Sequence, residues 1–111
     1  MGMFDYISVP RVLPDGLDGT GLEFQTKDLE CLLDLYEIQD NDYLVFVDTK
    51  NNPEGNYSEW SRTLIDYTGM IDFYSRVNET WHEYRAKFFD GKLVKIKEYN
   101  RYNTKLSKIN F

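Results

Sequence analysis

A chain of 111 residues, 41% apolar and 29% charged, with one cysteine, has room for a single domain around one core. It cannot form an internal disulfide, which excludes a stapled secreted scaffold and fits a reducing cytoplasm. The net charge of −6 is unevenly divided: residues 1–60 hold thirteen carboxylates against three cations, a net of −10, and residues 61–111 hold ten cations against six carboxylates, a net of +4. A surface like the first half repels nucleic acid and membranes and attracts basic proteins.

The chain opens Met1-Gly2-Met3-Phe4-Asp5, without the basic and apolar regions of a signal peptide. No apolar run approaches the ~18 residues of a membrane span. Residues 8–21 carry two of the three prolines and three of the seven glycines, which predicts an irregular loop. Leu22 to Thr26 reads as a short strand. In residues 26–38, Leu29, Leu32, Leu33 and Tyr36 sit at helical spacing. The turn Gln39-Asp40-Asn41-Asp42 and the strand Tyr43 to Val47 that follows favour instead a hairpin partner over roughly 31–38. Residues 48–60 form a long polar loop containing Pro53 and Gly55; loops of this length are functional or mobile. Leu64 to Tyr67 is a short strand or a helical turn, and Met70 to Ser75 a strand. The tail, residues 100–111, is an edge strand or a loose end.

The strongest local pattern is Trp81 to Glu98, with Asp90-Gly91 in its middle. Register follows the apolar face. A three-residue loop, Phe89-Asp90-Gly91, would pair Phe88 with Lys92, Ala86 with Val94 and Tyr84 with Ile96. The apolar side chains then share one face, and Glu83, Arg85, Lys87, Lys95 and Lys97 share the other. Gly91 would take the left-handed position of a type I turn with a bulge. With nine Tyr, seven Phe and two Trp, the composition also leans towards half-buried strands. The expectation is a single domain over 1–111, mainly β with α+β as the alternative: a compact antiparallel sheet, sandwich or small barrel-like domain built from hairpins.

No catalytic set stands out. His82-Glu83 begins a zinc-protease pattern, but Ala86 stands where the second histidine would be needed. Cys31 lies among leucines, where a thiol stays protonated and inert. Asp40-Asn41-Asp42 lacks the rest of a calcium loop, and no phosphate-binding or dinucleotide motif occurs. No cofactor or metal is expected. His82 reads as a strand residue near Glu98. Residues 84–108 carry eight cations against Asp90 and Glu98, interleaved with aromatics, a composition that can bind single strands. In the three-residue-loop register Tyr84 and Phe88 face the core, away from the lysines, so direct nucleic-acid binding is the less favoured expectation.

The opening Met1 to Asp5, the block Glu23-Phe24-Gln25-Thr26-Lys27-Asp28-Leu29-Glu30-Cys31-Leu32-Leu33-Asp34-Leu35-Tyr36-Glu37-Ile38, and the stretches Tyr67 to Tyr74, Trp81 to Tyr84 and Phe88 to Val94 resemble a family of small uncharacterised proteins of bacteriophages and prophages. The resemblance implies a compact, mostly antiparallel β domain made in the cytoplasm of an infected bacterium, and no agreed activity. Some similar sequences carry paired cysteines that suggest a zinc ribbon; this chain has only Cys31. The function expected is noncatalytic binding to a host protein, as a takeover or anti-defence inhibitor that presents its acidic half in place of nucleic acid. The expected contact residues are Asp40, Asp42, Asp48, Glu54, Tyr57, Glu59 and Trp60. The alternatives are a single-strand-binding module using the basic hairpin, a minor virion or assembly protein, a carboxylate-only enzyme, and a homodimer that joins opposite charges.

Overall fold

The computed structural model describes residues 4–50, 54–56 and 59–99. Eight strands follow one another: β1 (Asp5–Ser8), β2 (Phe24–Thr26), β3 (Leu35–Ile38), β4 (Leu44–Asp48), β5 (Ser61–Leu64), β6 (Gly69–Val77), β7 (Thr80–Phe89) and β8 (Lys92–Glu98). They form one sheet in the order β5-β4-β3-β1-β2-β6-β7-β8. The mainly-β expectation holds, and the helical spacing within 26–38 does not become a helix. The sheet is mixed rather than antiparallel, because β1 runs parallel to β3. No helix of the described residues is long and apolar enough to cross a membrane.

The parallel pair follows from a short crossover. The segment after β2 passes round the start of β1 and enters β3 on its other side. Asp5, the first residue of β1, is fully buried. Its carboxylate accepts the backbone N–H groups of Cys31 (2.6 Å), Leu32 (2.9 Å) and Asp34 (2.9 Å). Such a concavity of amides is a natural anion site, filled here by the chain's own side chain. Cys31 (φ 59°) and Leu33 (φ 61°) adopt a left-handed conformation that residues of this bulk rarely take. The helical stripe therefore dissolves into a knuckle, with Leu32 and Leu33 exposed.

The sheet curls until the start of β8 reaches the start of β4. Leu44 N–H donates to the Gly91 carbonyl (2.9 Å) and Leu93 N–H to the Asp42 carbonyl (2.7 Å). Inside lie Ile7, Val9, Phe24, Ile38, Phe73 and Tyr84, among others. The Phe24, Phe73 and Tyr84 rings pack with centroids 5.3–5.9 Å apart, an arrangement that adds to simple area burial. A smaller cluster, Leu35, Val45 and Val47, lies on the outer face and is covered by Tyr6 and Trp60. β3 and β4 are thus buried on both faces, which is why residues 31–38 alternate poorly.

The β7–β8 hairpin corrects the predicted register. Asp90 (φ 50°) and Gly91 (φ 80°) are both left-handed, giving a two-residue turn with Phe89 opposite Lys92. A Cβ on Gly91 would run into the Ile65 carbonyl. The register then shifts: Phe88 faces Leu93, but Lys87 faces Lys95 and Ala86 faces Ile96. Val94 is the extra residue of a bulge and stands 60% exposed. An odd residue is needed to keep the apolar faces together, and the strand supplies it rather than the loop. Glu83 accordingly lies opposite Tyr99, whose N–H reaches its carbonyl at 2.9 Å, and not opposite Lys97.

Two stability outcomes follow. Val94→Lys should change the unfolding free energy by under about 0.5 kcal/mol, whereas Ile96→Ala should cost about 1–3 kcal/mol; an equal cost at Val94 would restore the odd loop. Asp5→Ala, which orphans three amides, should cost about 2–4 kcal/mol in chemical denaturation.

Candidate functional site

The acidic residues singled out from the sequence do not gather in one place. Asp40 is exposed in the β3–β4 turn, and Asp42 beside it is bonded to Arg11 at 2.8 Å. At the other end of β4, roughly 17 Å away along five residues of strand, lie Asp48, Glu54 and Glu59. There the Asp48 and Glu59 carboxylates accept the N–H of Lys50 (3.1 Å) and of Asn56 (2.7 Å). Trp60 is half-buried against the outer cluster. Tyr57 lies outside the described residues. Other front-half carboxylates are also engaged internally: Asp34 by Lys50 (3.2 Å), Glu37 by Arg62 (2.8 Å) and Asp5 by backbone amides. Asp34, Glu37 and Asp42 are thus paired with cations within the fold, while Asp18, Glu23, Asp28, Glu30, Asp40, Glu54 and Glu59 stay exposed on separate loops and turns.

The positive charge has the opposite fate. Directly opposed residues of neighbouring strands share a face. On the outer face β6 contributes Met70, Asp72, Tyr74 and Arg76, and β7 contributes Lys87, Arg85, Glu83 and Trp81 opposite them. β8 adds Lys95 and Lys97, and Tyr99 comes level with Glu83. The two carboxylates on this face offer little charge to solvent. Glu83 is 3% exposed, and Asp72 binds Arg85 through two hydrogen bonds of 2.7 and 3.0 Å. Those bonds raise the Arg85 guanidinium above its ordinary value, against the opposite pull of burial.

The aromatics of this face are ordered. Tyr74 and Trp81 stack with centroids 5.3 Å apart and planes 22° from parallel. Trp81 remains 40% exposed, and its indole N–H reaches Glu83 Oε1 at 3.1 Å. The Arg85 guanidinium lies 4.0 Å from the centre of the Tyr99 ring, a cation–π contact. Lys87 and Lys95 are both exposed and stand directly opposite each other. Facing like charges cost a sheet up to about a kcal/mol and bring no packing return. The sequence register correctly turned Tyr84 and Phe88 inwards; what it did not bring to the lysine face were Tyr74, from the neighbouring strand, and Trp81, which turn outwards with Tyr99.

His82 is placed differently from its expected position near Glu98. It lies opposite Ser75, and Glu98 lies opposite Tyr84. His82 Nδ1 is 2.7 Å from Asp15 Oδ2, and the Tyr84 hydroxyl donates to Asp15 Oδ1 at 2.8 Å. Sixty-seven residues separate His82 from Asp15, so no local pattern announced the contact. The trio pins the Pro14-Asp15-Gly16 turn to β7. Cys31 is occupied elsewhere, its thiol 3.4 Å from the Lys27 carbonyl. No group of three or more His, Cys, Asp or Glu among the described residues is arranged to hold a metal ion.

A cleft of about 490 Å³ is lined by Ser8, Pro10, Thr20, Leu22, Glu23 and Glu37, but Glu37 on it is tied to Arg62. No family model matches this chain, and neither does any curated protein or solved structure.

Burial pushes the Asp15 carboxyl up, but the hydrogen bonds from His82, Tyr84 and the Leu17 amide, with the charge of His82, outweigh it and hold it below 3.8. A carboxyl lowered in the folded state stabilises the fold above its unfolded value and loses that contribution as pH falls through the folded one. The stability gap between the wild type and Asp15→Asn should therefore be largest near neutral pH. It should shrink as pH falls below about 4, measured by denaturant titration at pH 7 and pH 3.

Proposed function

We propose that this protein acts by noncatalytic binding, as an accessory protein of the phage setting that its sequence resemblance implies, and that it contacts an anionic host macromolecule through the outer face of β6–β8. One observation carries the reading. On that face the solvent-exposed charges are cations, held beside an exposed, stacked tryptophan. A protein of net charge −6 would otherwise have little reason to place Lys87 opposite Lys95.

The alternative surface, the acidic half presented to a basic host protein, is supported less well. Its residues lie at the two ends of β4, several are bonded internally, and Trp60 covers the protein's own outer cluster.

Net charge alone would forbid retention on an anionic matrix, whereas a segregated cationic face permits it. The wild type should be retained on heparin at low salt and elute as salt rises. The double variant Lys87→Glu/Lys95→Glu should pass through unretained, and Asp40→Asn should behave as the wild type. Passage of the wild type through the column at low salt would remove this face as the contact surface.

A further inference from the structure

We propose that the partner of the β6–β8 face is single-stranded nucleic acid, bound with bases stacked on the Tyr74–Trp81 pair and phosphates along the lysines of β7 and β8. This rests on the reading of that face as the contact surface, and it names the ligand.

The chemistry of the face separates nucleic acid from an acidic protein. A carboxylate-rich protein surface needs cations alone. Here the cations share one face with flat aromatic surface presented by rigid strands rather than by loops. Trp81 is braced on one side by Tyr74 and held in plane by its hydrogen bond to Glu83. Ordering this ring on binding therefore costs little further side-chain entropy. Every base has a π face, so a single ring serves any sequence. A duplex hides those faces inside its stack, which favours single strands over double.

The spacing fits an extended strand. Residues two apart on β7 lie roughly 7 Å from one another, of the order of the distance between successive phosphates in an extended single strand. Trp81, Arg85 and Lys87 occupy alternate positions of β7, with Glu83 buried between them, and Lys95 and Lys97 run beside them on β8. A strand crossing this ribbon meets aromatic surface at one end and ammonium groups at the other. Arg85 is already committed to Asp72 and to the Tyr99 ring, so it holds the platform in place while Lys87 and Lys95 meet phosphate.

The test uses the full chain and a fluorescein-labelled oligothymidylate of about 20 nucleotides, read by anisotropy. Binding at 50 mM salt should fall about 20–50-fold by 200 mM, the slope for three or four neutralised phosphates on a single strand. A duplex of the same length should bind more weakly. Trp81→Ala should weaken binding roughly tenfold. Lys87→Ala and Lys95→Ala should each reduce the salt slope by about 0.7. In a Trp60→Phe background, quenching of the remaining tryptophan by unlabelled oligothymidylate would place bases on Trp81. Absence of binding at 50 mM salt, equal affinity for duplex, or an unchanged Trp81→Ala would each overturn the proposal. Retention on heparin without oligonucleotide binding would leave the contact face standing and make its partner an acidic protein.

Discussion

The whole arrangement depends on one buried carboxylate. Asp5 stands at the start of β1, the strand that joins the β3–β4–β5 side of the sheet to the β2–β6–β7–β8 side. By accepting the amides of Cys31, Leu32 and Asp34 it fixes the path of the chain round that strand. That path makes β3 parallel to β1 and sets β3's register against it. A charge taken out of water is costly unless its hydrogen bonds are replaced, and here the replacements come from backbone that would itself be orphaned. The two costs cancel only in this geometry, which is how left-handed conformations at Cys31 and Leu33 are sustained. Burial, with the Asp5 charge behind it, pushes the nearby Tyr36 hydroxyl up to about 12, so Tyr36 stays neutral in the core.

Charge is handled in opposite ways on the two sides of β1. The front half pairs three of its thirteen carboxylates internally, through Arg11–Asp42, Lys50–Asp34 and Arg62–Glu37, and scatters others over separate exposed turns. The far side buries or pairs its two outward carboxylates and leaves Lys87 and Lys95 in water. A net count over the sequence treats all these groups as equal. The field a partner meets is set by those left exposed, and these are concentrated differently from what the count suggests.

The β7–β8 hairpin shows how much a single residue matters. Alternation in the sequence correctly implied that an odd residue must be absorbed between the two apolar faces. It placed that residue in the loop, although Asp90-Gly91 is also a signature of the two-residue turn. The two-residue turn and the bulge at Val94 satisfy the same requirement together, and move everything beyond the bulge two steps along the partner strand from the expected pairing. Tyr99, and not Lys97, then stands opposite Glu83. The Arg85–Tyr99 contact depends on that shift.

The sequence by itself determined the mainly β class, the β3–β4 and β7–β8 hairpins, the irregular stretch before β2, and the identity of the inward side chains Tyr84, Ala86, Phe88 and Ile96. These follow from alternation and turn chemistry, which act over a few neighbouring residues. Only the tertiary structure decided the parallel β1–β3 pair, the Asp5 anchor, the Asp15–His82–Tyr84 clasp and the joining of Tyr74, Trp81 and Tyr99 with the lysines. Each of these brings together groups from separate strands or distant turns, and their placement is set by strand order and by where a bulge falls. Both are outcomes of packing the whole core at once, which no local pattern encodes.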